Sequence, residues 1–293
     1  MTWKRVATAL VLIPIVVAIV LFTNTAVVAM ATSIITVLAL WEYFALGDAI
    51  GHRAYRLWTI FCALLLIFSQ WFPTLFIDGG VAIGIRVLNS AVHPLDLSLR
   101  SPVNPFFLFV LGLTVLTLWT RRPLVEALPA AGISSSALLL VAFPLSFAVR
   151  LHGIPAFGPK LLLFALAITW AADTTAYFVG RAIGKHPLAP HISPKKTWEG
   201  SIASMFGSLV VAYAFSFWIR IPLPHLLIMA ATGNIAGQMG DLLESAYKRS
   251  AGVKDSGGLL PGHGGILDRI DALILCIPVI WYYLVLVNPS IRR

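Results

Sequence analysis

Charge is what this chain has least of. Charged residues make up 11% of its 293 residues, against roughly 25% in a soluble domain. Hydrophobic residues reach 59% and the mean hydropathy is +0.89. A water-soluble globule is excluded, and a polytopic membrane protein is left. Cysteine is scarce too: Cys62 and Cys276 both fall in apolar segments, which excludes a disulfide framework and a thiolate metal site. No extended basic domain exists despite a net charge of +9, because the lysines and arginines are scattered over short loops. That pattern argues against nucleic acid and for anionic lipid headgroups or a phosphorylated substrate. Internal repeats and low-complexity tracts are missing. So is a small-x-small cleavage site after the run that follows Lys4 and Arg5, so this run reads as a span and not a signal peptide.

A transmembrane helix needs about 20 largely apolar residues. Apolar runs near 6–23, 25–46, 57–76, 105–119, 134–150, 161–180, 201–219, 224–240 and 272–288 predict nine spans. The expected fold is an all-α polytopic membrane protein with a polar cavity facing the cytoplasm, in one domain over 1–293. Residues 1–160 are mainly membrane scaffold, and 161–288 carry the catalytic helices and loops. The connection near 73–104, with Pro73, Gly79, Gly80, Pro94 and Pro102, receives no chemistry. With the N-terminus inside, 14 of the 21 basic residues lie on the inner side, among them Arg53, Arg56, Arg121 and Arg122. Two loops rich in functional groups, about 181–200 and 241–271, then both face the cytoplasm.

Polar residues enter the spans from Thr169 onward. Asp173 sits roughly 10 Å below the inner end of its helix, at 1.5 Å per residue. A carboxylate there costs several kcal/mol unless it is paired or faces a cavity. It reads either as a structural partner of a neighbouring cation or as the lining of a substrate cavity. In Ser193-Pro-Lys195-Lys196-Thr197-Trp-Glu199-Gly200, Ser193 or Thr197 is placed to cap a new helix. Two lysines beside exposed helix-start amides suit an anion, although plain positive-inside decoration accounts for them equally. Asn234, Gln238, Asp241, Ser245 and Lys248 follow steps of 4, 3, 4 and 3 and share one helical face. That face reads as one wall of a water-filled cavity, or as an interhelical hydrogen-bond seam. Gly233, Gly237 and Gly240 form a second stripe that lets another helix approach closely.

The densest signal is Ser245-Ala-Tyr-Lys248-Arg249-x4-Lys254-Asp255-x5-Pro261-Gly-His263-Gly264-Gly265-x2-Asp268-Arg269-x-Asp271. Carboxylates, cations and flexible glycines crowded at a membrane surface suit metal-assisted chemistry on phosphates. Asp268 follows a glycine-rich stretch able to approach a phosphate and reads as a metal ligand, while Asp271 serves equally well as a helix-start carboxylate. Oxygen-only ligands point to Mg²⁺ over zinc. His263 has no Cys or second His at ligand spacing and reads as a phosphate contact or loop organiser.

At these residues the chain resembles the phosphatidate cytidylyltransferase (CDP-diacylglycerol synthase) family. That family's pattern is Ser-x-aliphatic-Lys-Arg-x4-Lys-Asp-x-small-x2-aliphatic-Pro-x-His-Gly-Gly-x2-Asp-Arg-x-Asp. Tyr247 is one departure from it, standing where an aliphatic residue or Phe is usual. Asp173-x3-Tyr177-x2-Gly180-Arg181 and Ser193-Pro-Lys-Lys-Thr-x-Glu-Gly200 look like that family as well. The resemblance covers about 165–275 and before that rests on hydropathy alone.

The resemblance implies transfer of CMP from CTP to phosphatidate, giving CDP-diacylglycerol and pyrophosphate for phospholipid biosynthesis. It places Asp241, Ser245, Lys248, Arg249 and Asp268 in the reaction, with Asp241 and Asp268 corresponding to metal-binding carboxylates and Asp271 as a third. Ser245 and Lys248 correspond to phosphate contacts, and Lys195, Lys196, Lys254, His263, Gly264, Gly265, Arg269 and Asp173 are expected to bind substrate. Mg²⁺ is the expected cofactor, with a second, monovalent cation left open. CTP and bilayer phosphatidate are the expected partners, with no nucleic acid and with a homodimer left open. The expected location is a bacterial inner membrane. The rivals are a cytidylyltransferase acting on another lipid phosphate, such as an isoprenoid-ether lipid, and a transporter using Asp173. The latter usually shows repeats and broken helices, and the sequence has neither signal.

Overall fold

Apolar runs interrupted by short polar turns leave the backbone one solution in lipid: every N–H and C=O is satisfied within its own helix. A computed structural model describes residues 2–72, 103–119, 123–259 and 264–287. Among them are nine helices: α1 (Thr2–Phe22), α2 (Thr25–Ala49), α3 (Arg56–Trp71), α4 (Val103–Trp119), α5 (Leu124–His152), α6 (Gly158–Ile183), α7 (Trp198–Ser216), α8 (Leu223–Ser250) and α9 (Leu267–Val287). By length and apolarity α2, α5, α6 and α9 are able to cross a membrane, and the protein is an integral membrane protein of the all-α class. Shorter apolar stretches are Leu10–Phe22, Arg56–Trp71 and Asn104–Trp119. Most of the 73–104 connection and all of 260–263, with Pro261 and His263, lie outside the described residues.

The chain divides into two compact units, residues 23–156 and residues 1–22 with 157–293. In the first, α2 and α3 form a hairpin against which the C-terminal half of α5 packs. Asn24 caps α2 by accepting from the Val27 N–H at 3.0 Å. Polar groups inside this unit are matched across helices: Tyr43 donates to Ser136 (2.9 Å), Ser134 accepts from the Tyr55 N–H (2.8 Å), and Thr25 meets His152 Nδ1 (3.1 Å). α5 widens into a π turn over Leu138–Ala142 just before Pro144. Proline brings no N–H to the ladder and crowds the turn before it, and a local π adjustment re-seats the freed carbonyls.

In the second unit, α6, α7, α8 and α9 pack side by side, with α1 laid against α6. Burying leucine in place of lipid contact gains little in a bilayer, so small residues and interhelical hydrogen bonds set these contacts. A Cβ added at Gly200 falls 2.9 Å from the Ala176 carbonyl, and one at Gly207 falls 2.6 Å from Thr175 Oγ1, so α7 meets α6 through its glycines. The stripe on α8 does the same for α9. Added Cβ atoms meet Cys276 Sγ at 3.2 Å (from Gly233), the Ala272 carbonyl at 3.3 Å (Gly237) and the Asp271 carbonyl at 2.4 Å (Gly240). The close packing expected of this stripe is present. The 181–200 loop holds more order than expected: Pro187–Ala189 (β1) and Ser193–Thr197 (β2) form an antiparallel hairpin with a register shift, pairing Pro187 with Thr197 and Ala189 with Ser193. Thr197 then caps α7, its hydroxyl accepting from the Gly200 N–H at 3.2 Å.

Candidate active site

A cavity of about 740 Å³ opens among α6, the hairpin, α7 and α8. That volume lies within the range of about 300–1,000 Å³ usual for small-molecule sites. α6 contributes Asp173, Tyr177 and Arg181, the hairpin Lys195 and Lys196, α7 Ser201 and Ser204, and α8 Asn234, Gln238 and Asp241. Its mouth is cationic and its floor is a ladder of neutral polar groups. The Lys196 ammonium is ion-paired with Asp241 Oδ2. Arg181 donates to the Tyr177 hydroxyl at 2.9 Å. Asp173 lines the cavity and stands in the electrostatic field of Asp241, Lys196 and Arg269.

The polar face of α8 divides. Gln238 accepts from Ser201 Oγ (2.5 Å) and donates to Ser204 Oγ (3.0 Å) and Asn234 Oδ1 (2.6 Å), while Asn234 donates to Ser208 Oγ (2.9 Å). Ser208 in turn donates to the Ile168 carbonyl at 3.2 Å. The deep half is therefore an interhelical seam that also borders the cavity. Further along, Ser245 and Lys248 are buried and lie outside the cavity lining. The Lys248 ammonium bridges Glu244 Oε2 (2.5 Å) and Asp268 Oδ1 (2.6 Å). Burial pushes the Glu244 carboxyl up to about 7, with the Lys248 ammonium pulling it the other way.

Asp268 organises the loop before α9. Its second oxygen accepts from the Ser256 N–H (3.1 Å) and the Gly265 N–H (2.8 Å). Gly264 holds φ +81°, and a Cβ there falls 2.7 Å from that same oxygen. Both the left-handed backbone and the close approach require glycine. Gly264→Ala is expected to cost about 1–2 kcal/mol in backbone strain alone and to unseat Asp268. Thermal unfolding of the purified variant checks this, and a midpoint unchanged from wild type would count against it.

Arg249 is spent on structure: Nε donates to the Ile192 carbonyl (3.3 Å) and a terminal nitrogen to the Val253 carbonyl (3.2 Å). It thereby ties the hairpin to the end of α8. Lys195, Lys254 and Arg269 are exposed. Asp271 Oδ1 accepts from the Ala272 N–H at 2.7 Å and lies in the field of Asp241, Glu244 and Asp173. Glu199, at the start of α7, accepts from the His186 ring at 2.6 Å. Its own amide and that ring hold its carboxyl down to about 2, ionised at every ordinary pH.

Glu244, Ser201, Ser204 and the Ser256 amide escaped the sequence reading. Glu244 stands four residues before Lys248, a spacing at which opposite charges meet on a helix. Ser201, Ser204 and Ser208 follow a helical stripe that matches the polar face of α8. The Ser256 amide carried no signal.

The acidic side chains fit a hard cation in chemistry, since Asp173, Asp241 and Asp271 offer oxygen alone and repel one another. Among the described residues no three acidic, His or Cys groups converge as a ready metal cage. Asp241 faces Lys196 and Asp268 faces Lys248, so ammonium groups stand where a metal's charge would be needed.

The sequence profile of the cytidylyltransferase family matches residues 3–287. A phosphatidate cytidylyltransferase of Haemophilus influenzae (strain ATCC 51907 / DSM 11121 / KW20 / Rd) is 32% identical over 288 residues, covering 96% of this chain and 97% of the relative. One of Bacillus subtilis (strain 168) is 37% identical over 157 residues, 53% of this chain and 58% of that protein. Another, of Staphylococcus saprophyticus, is 40% identical over 187 residues, 63% and 68% of the two chains.

Proposed function

The chain belongs to the cytidylyltransferase family, and from that membership we infer that it transfers CMP from CTP to phosphatidate, releasing pyrophosphate and forming CDP-diacylglycerol. The observation that carries the reading is the cavity that joins Lys195, Lys196, Arg181, Asp173 and Asp241 in a membrane protein. The relatives' shared name favours phosphatidate over an ether-lipid phosphate and over transport.

A phosphate monoester has a second pKa near 6, so phosphatidate is a dianion at neutral pH and needs no general base. Its phosphate oxygen attacks the α-phosphorus of CTP, the bond from that phosphorus to the bridging oxygen breaks, and pyrophosphate leaves with the electron pair. The obstacle is repulsion between two anions, so catalysis here is mainly positioning and charge stabilisation. Lys195, Lys196 and Arg181 border the cavity and offset phosphate charge. Lys196 exchanges its carboxylate partner for a phosphate oxygen, which frees Asp241. Lys248 does the same from Asp268 Oδ1, the one oxygen of that side chain not held by backbone amides. Ser245, on the same helical face as Asp241, is the further phosphate contact in this proposal, while the Gly265 amide stays on Asp268.

Asp241, with Asp268 and Asp271 from the facing helix, is the set we propose for Mg²⁺. Bound there, Mg²⁺ supplies Lewis-acid stabilisation of charge on phosphate oxygens. Nine spans, an inner-membrane location and a cytoplasm-facing cavity complete the proposal, supported by the lysine and arginine bias of the loops. The acyl chains then stay in the bilayer while the headgroup reaches the aqueous site.

Radiolabel transfer from CTP into lipid by the purified protein tests this. Label is expected in lipid with phosphatidate and Mg²⁺, and a loss of at least about a hundredfold with EDTA. An ether-lipid phosphate preferred over phosphatidate would overturn the substrate assignment, and full activity in EDTA would overturn the metal assignment.

A further inference from the structure

A second cavity, about 1,060 Å³, is in the other unit, and none of its lining residues belongs to the proposed active site. It forms where α2 ends, α3 begins and α4 approaches its own end. Among its lining residues are Asp48, Arg53, Tyr55, Arg56, Trp58 and Leu116. Asp48 and Arg56 are ion-paired, and the Arg56 guanidinium lies 5.5 Å from the ring centroid of Trp41. The wall towards α4 is fixed by the Trp58 indole, which donates to the Phe109 carbonyl at 3.1 Å. That ring lies so close to α4 that a Cβ at Gly112 falls 2.0 Å from it.

α2 is long and apolar enough to cross a membrane, and α3 and α4 are shorter apolar helices. A turn between two such helices stands at the level of the membrane surface. Tryptophan and tyrosine concentrate at that level, where basic pockets between helices take anionic lipid headgroups. Exposed apolar side chains stand on the helices that form it: Leu57 is 83% exposed on α3, and Leu118 and Trp119, near the end of α4, are 76% and 80% exposed. A soluble phosphate has no use for such side chains, whereas lipid chains do. We propose that this cavity holds the phosphate of an anionic phospholipid, with Arg53 and Arg56 on the headgroup and Trp58 and Leu116 against the glycerol and upper chains.

The purified full-length chain is titrated with phosphatidylglycerol, phosphatidylcholine or inorganic phosphate and examined by native mass spectrometry. Phosphatidylglycerol is expected to be retained about tenfold more strongly than phosphatidylcholine. The double variant Arg53→Gln/Arg56→Gln loses that preference. Leu116→Trp, which fills the cavity and leaves both guanidinium groups in place, loses it as well and decides the matter if the double variant does not fold. Both variants are expected to keep CMP transfer within about twofold, as these residues take no part in the reaction. Phosphatidylglycerol held elsewhere on the protein cancels in the comparison with wild type. Equal retention of the two lipids by wild type, or a preference intact in Leu116→Trp, overturns the site. Displacement of phosphatidylglycerol by millimolar inorganic phosphate overturns the lipid assignment and gives the cavity to a free anion.

Discussion

Asp241→Asn is expected to lower CMP transfer by about a thousandfold or more, the scale on which a preorganised charge contribution is lost, while the protein inserts and folds as before. Asp241 lies on the cavity wall, and its carboxylate is ion-paired with Lys196. The substitution keeps size and shape and removes the charge. The Lys196 ammonium nitrogen is buried, and the asparagine amide oxygen remains beside it as an acceptor, so the fold should tolerate the change. Adding Mg²⁺ should not restore turnover, because a neutral amide is a poor ligand for a hard cation. The measurement is radiolabel transfer alongside thermal unfolding of the purified variant. Glu126→Gln, in the other unit, serves as the control and should stay within twofold of wild type. Near-normal turnover in Asp241→Asn removes the metal assignment; comparable losses in both variants argue against a localised site.

Lys248→Ala should lose both stability and activity, and the two losses separate. Lys248 is the cation between Glu244 and Asp268, all three largely buried. Removing one member of such a network leaves uncompensated buried charge, at a cost of about 3–5 kcal/mol. Part of this is relieved by protonation of Glu244, whose carboxyl already titrates near 7. In the variant, stability should therefore recover as the pH falls below 7, since the folded state takes up a proton that the unfolded chain binds only near its ordinary carboxyl value. Glu244→Gln/Lys248→Ala should regain much of the lost stability and none of the lost turnover, because it removes the orphaned charge without returning a cation to the phosphates. Thermal unfolding across pH and CMP transfer on both variants check this. A double variant with restored activity would make Lys248 purely structural.

The helices were largely legible in the sequence because a bilayer demands long apolar runs and continuous internal hydrogen bonding. The glycine stripe on α8 was legible for the same reason, as close helix approach in lipid leaves few residue types to choose from. Thr197 was legible as a cap because a short hydroxyl side chain reaches the amides of a helix start. The hairpin over Pro187–Thr197 was not, since three prolines and two lysines carry no strand periodicity and its pairing answers to the start of α7. The polar face of α8 was visible as a face, but its division was not. Which of Asn234 and Lys248 meets a cavity, a seam or an acid depends on the neighbouring helices. Asp268 shows the same limit: carboxylate spacing reads as metal chemistry, yet one of its oxygens is held by the amides of Ser256 and Gly265.

Alone, the order of residues determined a membrane protein of the all-α class, because hydropathy acts locally along a chain; the expected loop near 241–271 begins instead as helix, since α8 runs to Ser250. Only the tertiary structure decided which charges meet across elements: Lys196 with Asp241 and Lys248 with Asp268. Coulomb interactions depend on separation in space, and residues fifty positions apart acquire one only when helices pack.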